Sequence, residues 1–234
     1  SPDEDLDDIG ELIRRLADVS GDEQPKAKHS LSTGSFSLIE ARELWQEVVE
    51  VSSDSSLSAL IEALKNADWV DKGRSFVQDD QCPFCQQGLP HGFMDELLSL
   101  FEGTRQEKIE SIASYVTSYA TDISNLESQI ASALAEPLAK ETDLKVASEA
   151  VIAKLKANLA TMRLKQERPG ESFEVVSVDM GLMTAALDAL NTRIGDFNRR
   201  IANKEEERKA VGEVFWKILY RDRANAYTSY DAAV

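Results

Sequence analysis

The chain has 234 residues, 42% of them apolar and 29% charged, which is a composition typical of a soluble folded protein with one domain or two small ones. Its net charge is −16, and residues 1–102 hold 22 acidic against 8 basic side chains, net −14, so this part lacks the clustered cations of a phosphate-binding surface. Because no apolar run approaches the roughly 20 residues of a membrane-spanning helix, and the acidic start is unlike a signal peptide, we predict a cytoplasmic protein with no membrane partner.

Apolar residues at helical spacing predict four short helices in the first 103 residues. Each predicted helix follows a capping residue or a turn and carries one apolar face. The predicted spans are 5–19, 37–52, 55–73 and 91–103, with a polar stretch at 21–34. The three tryptophans of the chain lie on predicted apolar faces, and we expect all of them in the core: Trp45, Trp69 and Trp216.

From residue 104 onward the apolar pattern changes. Between Ile109 and Ala133, apolar residues follow each other by alternating steps of three and four, which is typical of a coiled-coil seam. Pro137 interrupts this pattern. A further helical pattern covers 144–162 and is expected to end at the next proline.

The seam pattern returns in the last part of the chain. The β-favouring residues 173–178 come first and are the one predicted extended segment. Steps of three and four then run from Met183 to Ile218, although Lys204 and Arg208 occupy two of the core positions. Two seam segments separated by a break are most simply paired as an antiparallel hairpin, and a parallel homodimer through the same faces is the alternative.

These patterns predict an all-α protein, an acidic helical bundle plus an antiparallel coiled-coil hairpin. The predicted parts are a short helix and mobile segment at 1–34, a helical subdomain at 35–103, the hairpin at 104–220 with its break at 137–180, and the end of a truncated helix at 221–234.

The only two cysteines stand together as Cys82-Pro83-Phe84-Cys85 between predicted helices. Both thiolates can bind zinc, which takes four ligands, and a cysteine pair from another copy of the chain would complete the shell. Alternatively, His91 together with His29 or a carboxylate completes the shell within one chain. A third interpretation is a redox-active dithiol with Cys82 as the nucleophile. A fourth is a helical protein-binding adaptor whose cysteines are inert, small apolar residues of a turn.

Enzymatic chemistry finds little support in the sequence. The tetrapeptide also looks like the active site of glutaredoxins, but the polar residues 77–81 stand where that fold has a buried strand, and their carboxylates would disfavour a thiolate. The sequence contains no phosphate-binding loop, no dinucleotide-binding glycine motif, no zinc-protease motif and no nucleophile elbow. We therefore expect no catalytic residues in this chain.

A family resemblance begins at the cysteines. The order Trp69-Val70-x-x-Gly73, a spacer, and residues 82–87 followed by Leu89 and a long helical region resembles the middle of bacterial SMC-like, ABC-type ATPases of the anticodon-nuclease (AAA) type. Their ATPase head is interrupted by a helical, coiled-coil insertion. Residues 164–169, Leu-Lys-Gln-Glu-Arg-Pro, are similar to a recurring feature of that insertion. The Cys-Pro-x-Cys element is also similar to the zinc hook of double-strand-break repair ATPases, where two molecules each donate a cysteine pair.

The resemblance implies a structural, dimer-forming insertion of an SMC-like ATPase that acts in DNA repair or in defence against phage. It implies zinc on Cys82 and Cys85, with His91 as the intrachain alternative, and ATP only in the head, outside this chain. The implied partners are a second copy through the cysteine turn or the coil, the rest of the head and, for the whole protein, nucleic acid. Both predicted seam segments follow the cysteines in the sequence. We therefore expect Cys82 and Cys85 on a compact helical knob rather than at the tip of a coiled coil.

Overall fold

The computed structural model describes residues 9–21, 23–52 and 55–231. Across these ranges the fold is all-α, as predicted, with nine α-helices, two short 3₁₀ helices and no β-strand. The helices are α1 Ile9–Ser20, α2 Phe36–Glu40, α3 Ser58–Leu64, α4 Ala67–Arg74, α5 Phe93–Phe101, α6 Thr104–Leu134, α7 Leu144–Glu167, α8 Gly181–Ala202 and α9 Lys204–Asp231; the 3₁₀ helices are Glu43–Trp45 and Pro137–Glu141.

Some predicted features fall outside the described ranges, namely the acidic cluster at 3–8, the first residues of the predicted 5–19 helix, and the last three residues of the chain. Among the helices that are described, none combines the length and apolar character needed to span a bilayer. Contacts divide the chain into two units. Unit 1 draws on 1–30, 136–144 and 185–234, and unit 2 on 31–135 and 145–184.

Unit 1 has a small apolar core between α1 and α9. Leu12 of α1 packs with Val211 and Ile218 of α9, and all three are buried. Beside them Arg15 Nε donates to Glu207 Oε1 at 2.7 Å. The segment before residue 30 is fixed by paired backbone contacts to asparagines of α8, since His29 N–H donates to Asn191 Oδ1 at 2.9 Å.

The predicted core position of Trp216 is wrong, because 62% of its side chain is exposed. The predicted seam position of Phe215 is also wrong, since 45% of this residue is exposed, and Arg208 is exposed as well. α9 buries the face that carries Val211 and Ile218. Trp216 stands two residues before Ile218 and therefore lies on another face of a helix with 3.6 residues per turn. Phe215 stands three residues before Ile218, at the edge of the buried face and next to Val214, which packs against that core.

Unit 2 contains the predicted seam of α6, and its burial is confirmed. The residues of the seam that are fully or nearly fully buried are Ile112, Val116, Tyr119, Ile123, Leu126, Ile130 and Ala133. α7 buries Val151, Leu155, Leu159 and Met162. Side chains of α6 and α7 meet where Lys156 Nζ lies 2.7 Å from Glu127 Oε1. The pairing of the arms in the predicted hairpin stays a prediction.

The predicted second helix, 37–52, is wrong beyond its first turn. α2 ends at Glu40, and the chain from Trp45 to Val49 bonds instead to a distant segment. Val49 N–H donates to Pro169 O at 3.1 Å, and Phe173 N–H donates to Trp45 O at 2.9 Å. Backbone groups that are paired in this way cannot also form the ladder of a helix.

A buried lysine holds the same two segments together. The side chain of Lys165 is completely buried, and its ammonium group donates to three backbone carbonyls: Pro169 O at 2.8 Å, Glu171 O at 2.6 Å, and Glu47 O. All three ammonium protons are therefore used. Burial lowers the pKa of Lys165 from its ordinary value of 10.5, and the nearby carboxylates of Asp68 and Glu47 oppose that shift.

A second buried polar cluster lies between α2, α6 and α7. Tyr119 Oη donates to Glu40 Oε1 at 2.6 Å, and Asn158 Nδ2 lies 3.3 Å from the same oxygen. The other oxygen, Glu40 Oε2, accepts from Val178 N–H at 3.1 Å. Asn158 Nδ2 also donates to Val176 O at 2.7 Å. The β-favouring residues 173–178 form no strand in the structure, and the N–H groups of Val176 and Val178 bond to side chains of this cluster instead.

Tyr119 is expected to make unit 2 less stable in alkali. Burial, and then its hydrogen bond to Glu40, raise the pKa of Tyr119 from the ordinary value of 10.0. The unfolded phenol therefore loses its proton above about pH 10 while the folded one keeps it, so the contribution is complete below pH 10 and falls above it by about 1.4 kcal/mol per pH unit. Urea unfolding from about pH 9 to 11 should show this fall in the wild type and not in Tyr119→Phe. An equal fall of the free energy of unfolding with pH in both proteins would contradict the prediction.

Candidate metal centre at the cysteine turn

The cysteine turn follows α4 and is held by its own backbone hydrogen bonds. Asp79 and Asp80 have φ of 50° and 53°, which closes a tight turn in which Gln81 N–H donates to Gln78 O at 2.9 Å. Positive φ at both central residues defines a type I′ turn, and Asp is among the few residues that tolerate it. Leu89 N–H donates to Asp80 O at 2.7 Å and ties the two ends of the loop together.

Within this loop the cysteines form a smaller turn. Cys82 N–H donates to Gln87 O at 2.9 Å, and Gln86 N–H donates back to Cys82 O at 2.8 Å. Gln86, directly after Cys85, has φ of 60°, so the chain reverses there. The predicted turn is confirmed, and its backbone hydrogen bonds place both cysteines on one short loop.

The local backbone favours a thiolate at Cys82. The N–H groups of Cys85 and then Phe84, followed by the Cys85 thiol, hydrogen-bond the Cys82 sulfur and lower the pKa of Cys82 from its ordinary value of 9.0. Both cysteines are free thiols; Cys82 is half-buried and Cys85 is exposed. Zinc binds the deprotonated sulfur, so donors aimed at that sulfur suit a metal ligand as well as a nucleophile.

The two sulfurs supply two ligands of a four-ligand shell. Within the ranges that the structure describes, no group of three or more His, Cys, Asp or Glu side chains is placed to hold a metal ion. His91 is exposed and belongs to no such group, and His29 lies in unit 1. The residues thus fit half of a structural zinc site, and zinc itself stays a prediction.

An exposed aromatic pair includes one residue of the cysteine turn. Phe84, between the cysteines, stacks on Trp69 of α4 with ring centroids 5.5 Å apart and an interplanar angle of 21°. The predicted core position of Trp69 is wrong, because 59% of its side chain is exposed, as is 74% of Phe84. The predicted 55–73 helix is broken at Lys65, whose φ of 49° ends α3, so the apolar face of α3 does not continue to Trp69.

α4 is anchored at its base, which fixes Trp69. Arg105, almost fully buried, lies 2.8 Å from Asp68 Oδ1, and Gly170 N–H donates to Asp68 Oδ2 at 3.0 Å. Lys72 Nζ donates to Glu167 O at 3.1 Å, at the end of α7. The Lys72 bond links α4 to the Leu-Lys-Gln-Glu-Arg-Pro segment, and Asp68 binds Gly170 directly after that segment, so the two sequence segments singled out separately are neighbours in unit 2.

A groove of about 670 Å³ opens on the other side of Trp69, between α3, α4 and the 167–171 turn. Its charged side chains include Asp68 and Lys72, which are bonded as described, and Arg168, which pairs with Glu171 at 3.6 Å. Its polar groups mainly hold the fold together, and they form no pair of a nucleophile and its base among the lining residues.

Sequence reasoning missed Lys165 and the Trp69–Phe84 pair. Lys165 lies three residues after the buried Met162 and seven after the buried Asn158, so helical spacing alone would have placed it on the buried face. No pattern in the sequence predicts the Trp69–Phe84 stack, because the stack depends on the break at Lys65 and on the fold of the turn.

Comparison with known proteins gives one match. A family model described as "AAA domain" matches residues 3–234. No curated protein and no solved structure matches the chain. Since the family model covers almost the whole sequence, the chain belongs to the AAA domain family, a family of AAA-type ATPases.

Proposed function

We propose that this chain is a helical, dimer-forming insertion of an SMC-like ATPase, and that two copies pair through one zinc ion to which each contributes Cys82 and Cys85. The observation that carries the proposal is the pre-formed turn that presents two free thiols without a third ligand in the described part of the chain. Structural zinc sites are closed by four protein ligands. A second identical turn is the simplest source of the other two.

The backbone of the turn supports this assignment. N–H groups that hydrogen-bond the Cys82 sulfur stabilise its thiolate, and the backbone hydrogen bonds of the loop keep both cysteines on one turn. Zinc would supply the cross-link between the copies. Less entropy is lost on binding when ligands are pre-positioned, so the chain need not fold around the metal.

The wider function rests on the family and on the resemblance. Membership of an AAA-type ATPase family, together with the buried seam of α6, supports a coiled-coil element that works with an ATPase head. The sequence contains no phosphate-binding loop, so ATP would be bound outside these 234 residues. We propose that the whole protein acts on nucleic acid in DNA repair or in defence against phage.

Zinc content and mass test the pairing. Purified wild-type protein should hold about 0.5 zinc per chain, because four thiolates from two chains bind one ion. Light scattering should give twice the chain mass of 25.9 kDa, and removal of zinc by a chelator should return the mass to 25.9 kDa. Metal-free protein of unchanged mass would contradict the proposal.

Two variants sharpen this test. Cys82→Ser combined with Cys85→Ser should abolish both zinc binding and the dimer, since serine is a poor zinc ligand. His91→Ala is the matched control and should leave both unchanged. One zinc per monomer, lost in His91→Ala, would instead support the intrachain shell. A reversible disulfide in zinc-free protein would support the dithiol interpretation.

A further inference from the structure

The Trp69–Phe84 stack is an unusual use of aromatic surface. Its two rings stack on each other, yet 59% of Trp69 and 74% of Phe84 remain exposed. Aromatic side chains gain most when they are buried, and exposed apolar groups that lie together commonly mark interaction sites. Trp and other large aromatic residues are also the side chains that dominate binding energy at interfaces.

The stack is held in place before any partner arrives. Trp69 lies on α4, and the residue before it, Asp68, is bonded to Arg105 and to Gly170. Phe84 lies inside the turn closed by the hydrogen bonds between Cys82 and residues 86 and 87. The segments that carry both rings are therefore held by bonds of the folded chain, so less entropy is lost when a partner binds.

Zinc geometry decides what comes to lie on this surface. With zinc–sulfur bonds of about 2.3 Å in a tetrahedron, the sulfurs of a second turn lie only about 3.8 Å from those of the first. Phe84 stands between both ligating cysteines in the sequence, so its exposed ring belongs to the turn that a second copy on the same zinc would meet. The stack extends this contact from Phe84 to Trp69.

Charge makes an apolar contact necessary. The chain carries a net charge of −16, and Asp79 and Asp80 lie three and two positions before Cys82. Two copies that meet at this turn bring like charges together, which opposes association at low ionic strength. Attraction between the copies must then come from the metal and from apolar burial.

We infer that the Trp69–Phe84 stack is the apolar contact surface for a second copy of this chain, packed against the same stack of its partner around the shared zinc. This inference rests on the proposed zinc-linked pairing and adds to it the side chains that set its strength. A symmetric dimer uses the same patch on both copies, so every ring counts twice.

Dimer dissociation constants measured by sedimentation equilibrium at saturating zinc test the inference. Trp69→Ala and Phe84→Ala should each weaken the dimer about 10-fold or more, as for truncation of a central aromatic residue on both copies. Phe84→Trp, which keeps a ring, should retain most of the affinity. Phe76→Ala is the control, because Phe76 is 68% exposed but lies outside the stack. Thermal unfolding should show that all four variants fold.

The outcomes separate this inference from the proposed function. A zinc-linked wild-type dimer whose dissociation constant is unchanged in Trp69→Ala and Phe84→Ala, or weakened equally in Phe76→Ala, would overturn the inference alone. A dimer that survives chelation but is lost in Phe84→Ala would support the contact and overturn the zinc link. A wild-type monomer without zinc would overturn both. Raising the salt concentration should tighten the wild-type dimer as charge repulsion is screened; weakening would contradict the charge argument.

Discussion

Lys165→Met should lower the free energy of unfolding of unit 2 by about 3–5 kcal/mol. The substitution removes the ammonium group that donates to three backbone carbonyls in a fully buried site. Methionine has nearly the same length and fills the space, so the loss reports mainly the unpaired oxygens of Glu47 and Glu171, while Pro169 O keeps the N–H of Val49. Urea unfolding followed by circular dichroism measures the loss, read from transition midpoints at a common slope.

The matched control is Lys156→Met, the same substitution on the same helix α7. Lys156 pairs with Glu127 at the surface, with 58% of its side chain exposed, and such pairs contribute less than about 1 kcal/mol. If Lys165→Met costs no more than Lys156→Met, the buried ammonium group does not hold the fold. Hydrogen exchange adds a local measurement, because the amides of Val49 and Phe173 should exchange faster in Lys165→Met alone.

The long helices could be predicted from the sequence because their cause is local. A seam with steps of three and four needs only α-helical geometry to form one face, and the seam of α6 from Ile112 to Ala133 is buried. The bounds of α5 follow from glycines on both sides: Gly92, with φ of 78°, precedes the helix, and Gly103, with φ of 71°, follows it.

The region from 41 to 52 could not be predicted because its cause is distant. Its apolar residues suit a helix, yet its backbone pairs with Pro169 and Phe173, more than a hundred positions away. The ammonium of Lys165 adds a third bond to the same region. Competition from long-range partners of this kind overrides local propensity.

The candidate site was predictable in its chemistry and not in its surroundings. Two cysteines three positions apart on a turn follow from Pro83 and from the polar residues around it, and the structure places the thiols on such a turn. The exposure of Trp69 was not predictable. One left-handed residue, Lys65, ends α3 and resets the helical phase, so spacing counted from Leu57 no longer applies in α4.

The other large effect is expected at Glu40, where Glu40→Leu should lower the free energy of unfolding by about 2–4 kcal/mol. Leucine has a similar volume but accepts no hydrogen bond. The hydroxyl of Tyr119 and the N–H of Val178 would then be buried without an acceptor, whereas Asn158 keeps its bond to Val176 O. Urea unfolding measures the loss.

A second substitution tests whether this loss comes from unpaired donors or from packing. Tyr119→Phe alone should be destabilising, since it takes the 2.6 Å donor from Glu40. In the Glu40→Leu background it should instead restore about 1–2 kcal/mol, because it removes the hydroxyl that has lost its acceptor, and replacing both partners by apolar groups is far less costly than removing one. Simple addition of the two single losses would show that the side chains act independently. The buried cluster would then be a packing feature rather than a hydrogen-bonded unit that holds α2 and the 176–178 segment against α6 and α7.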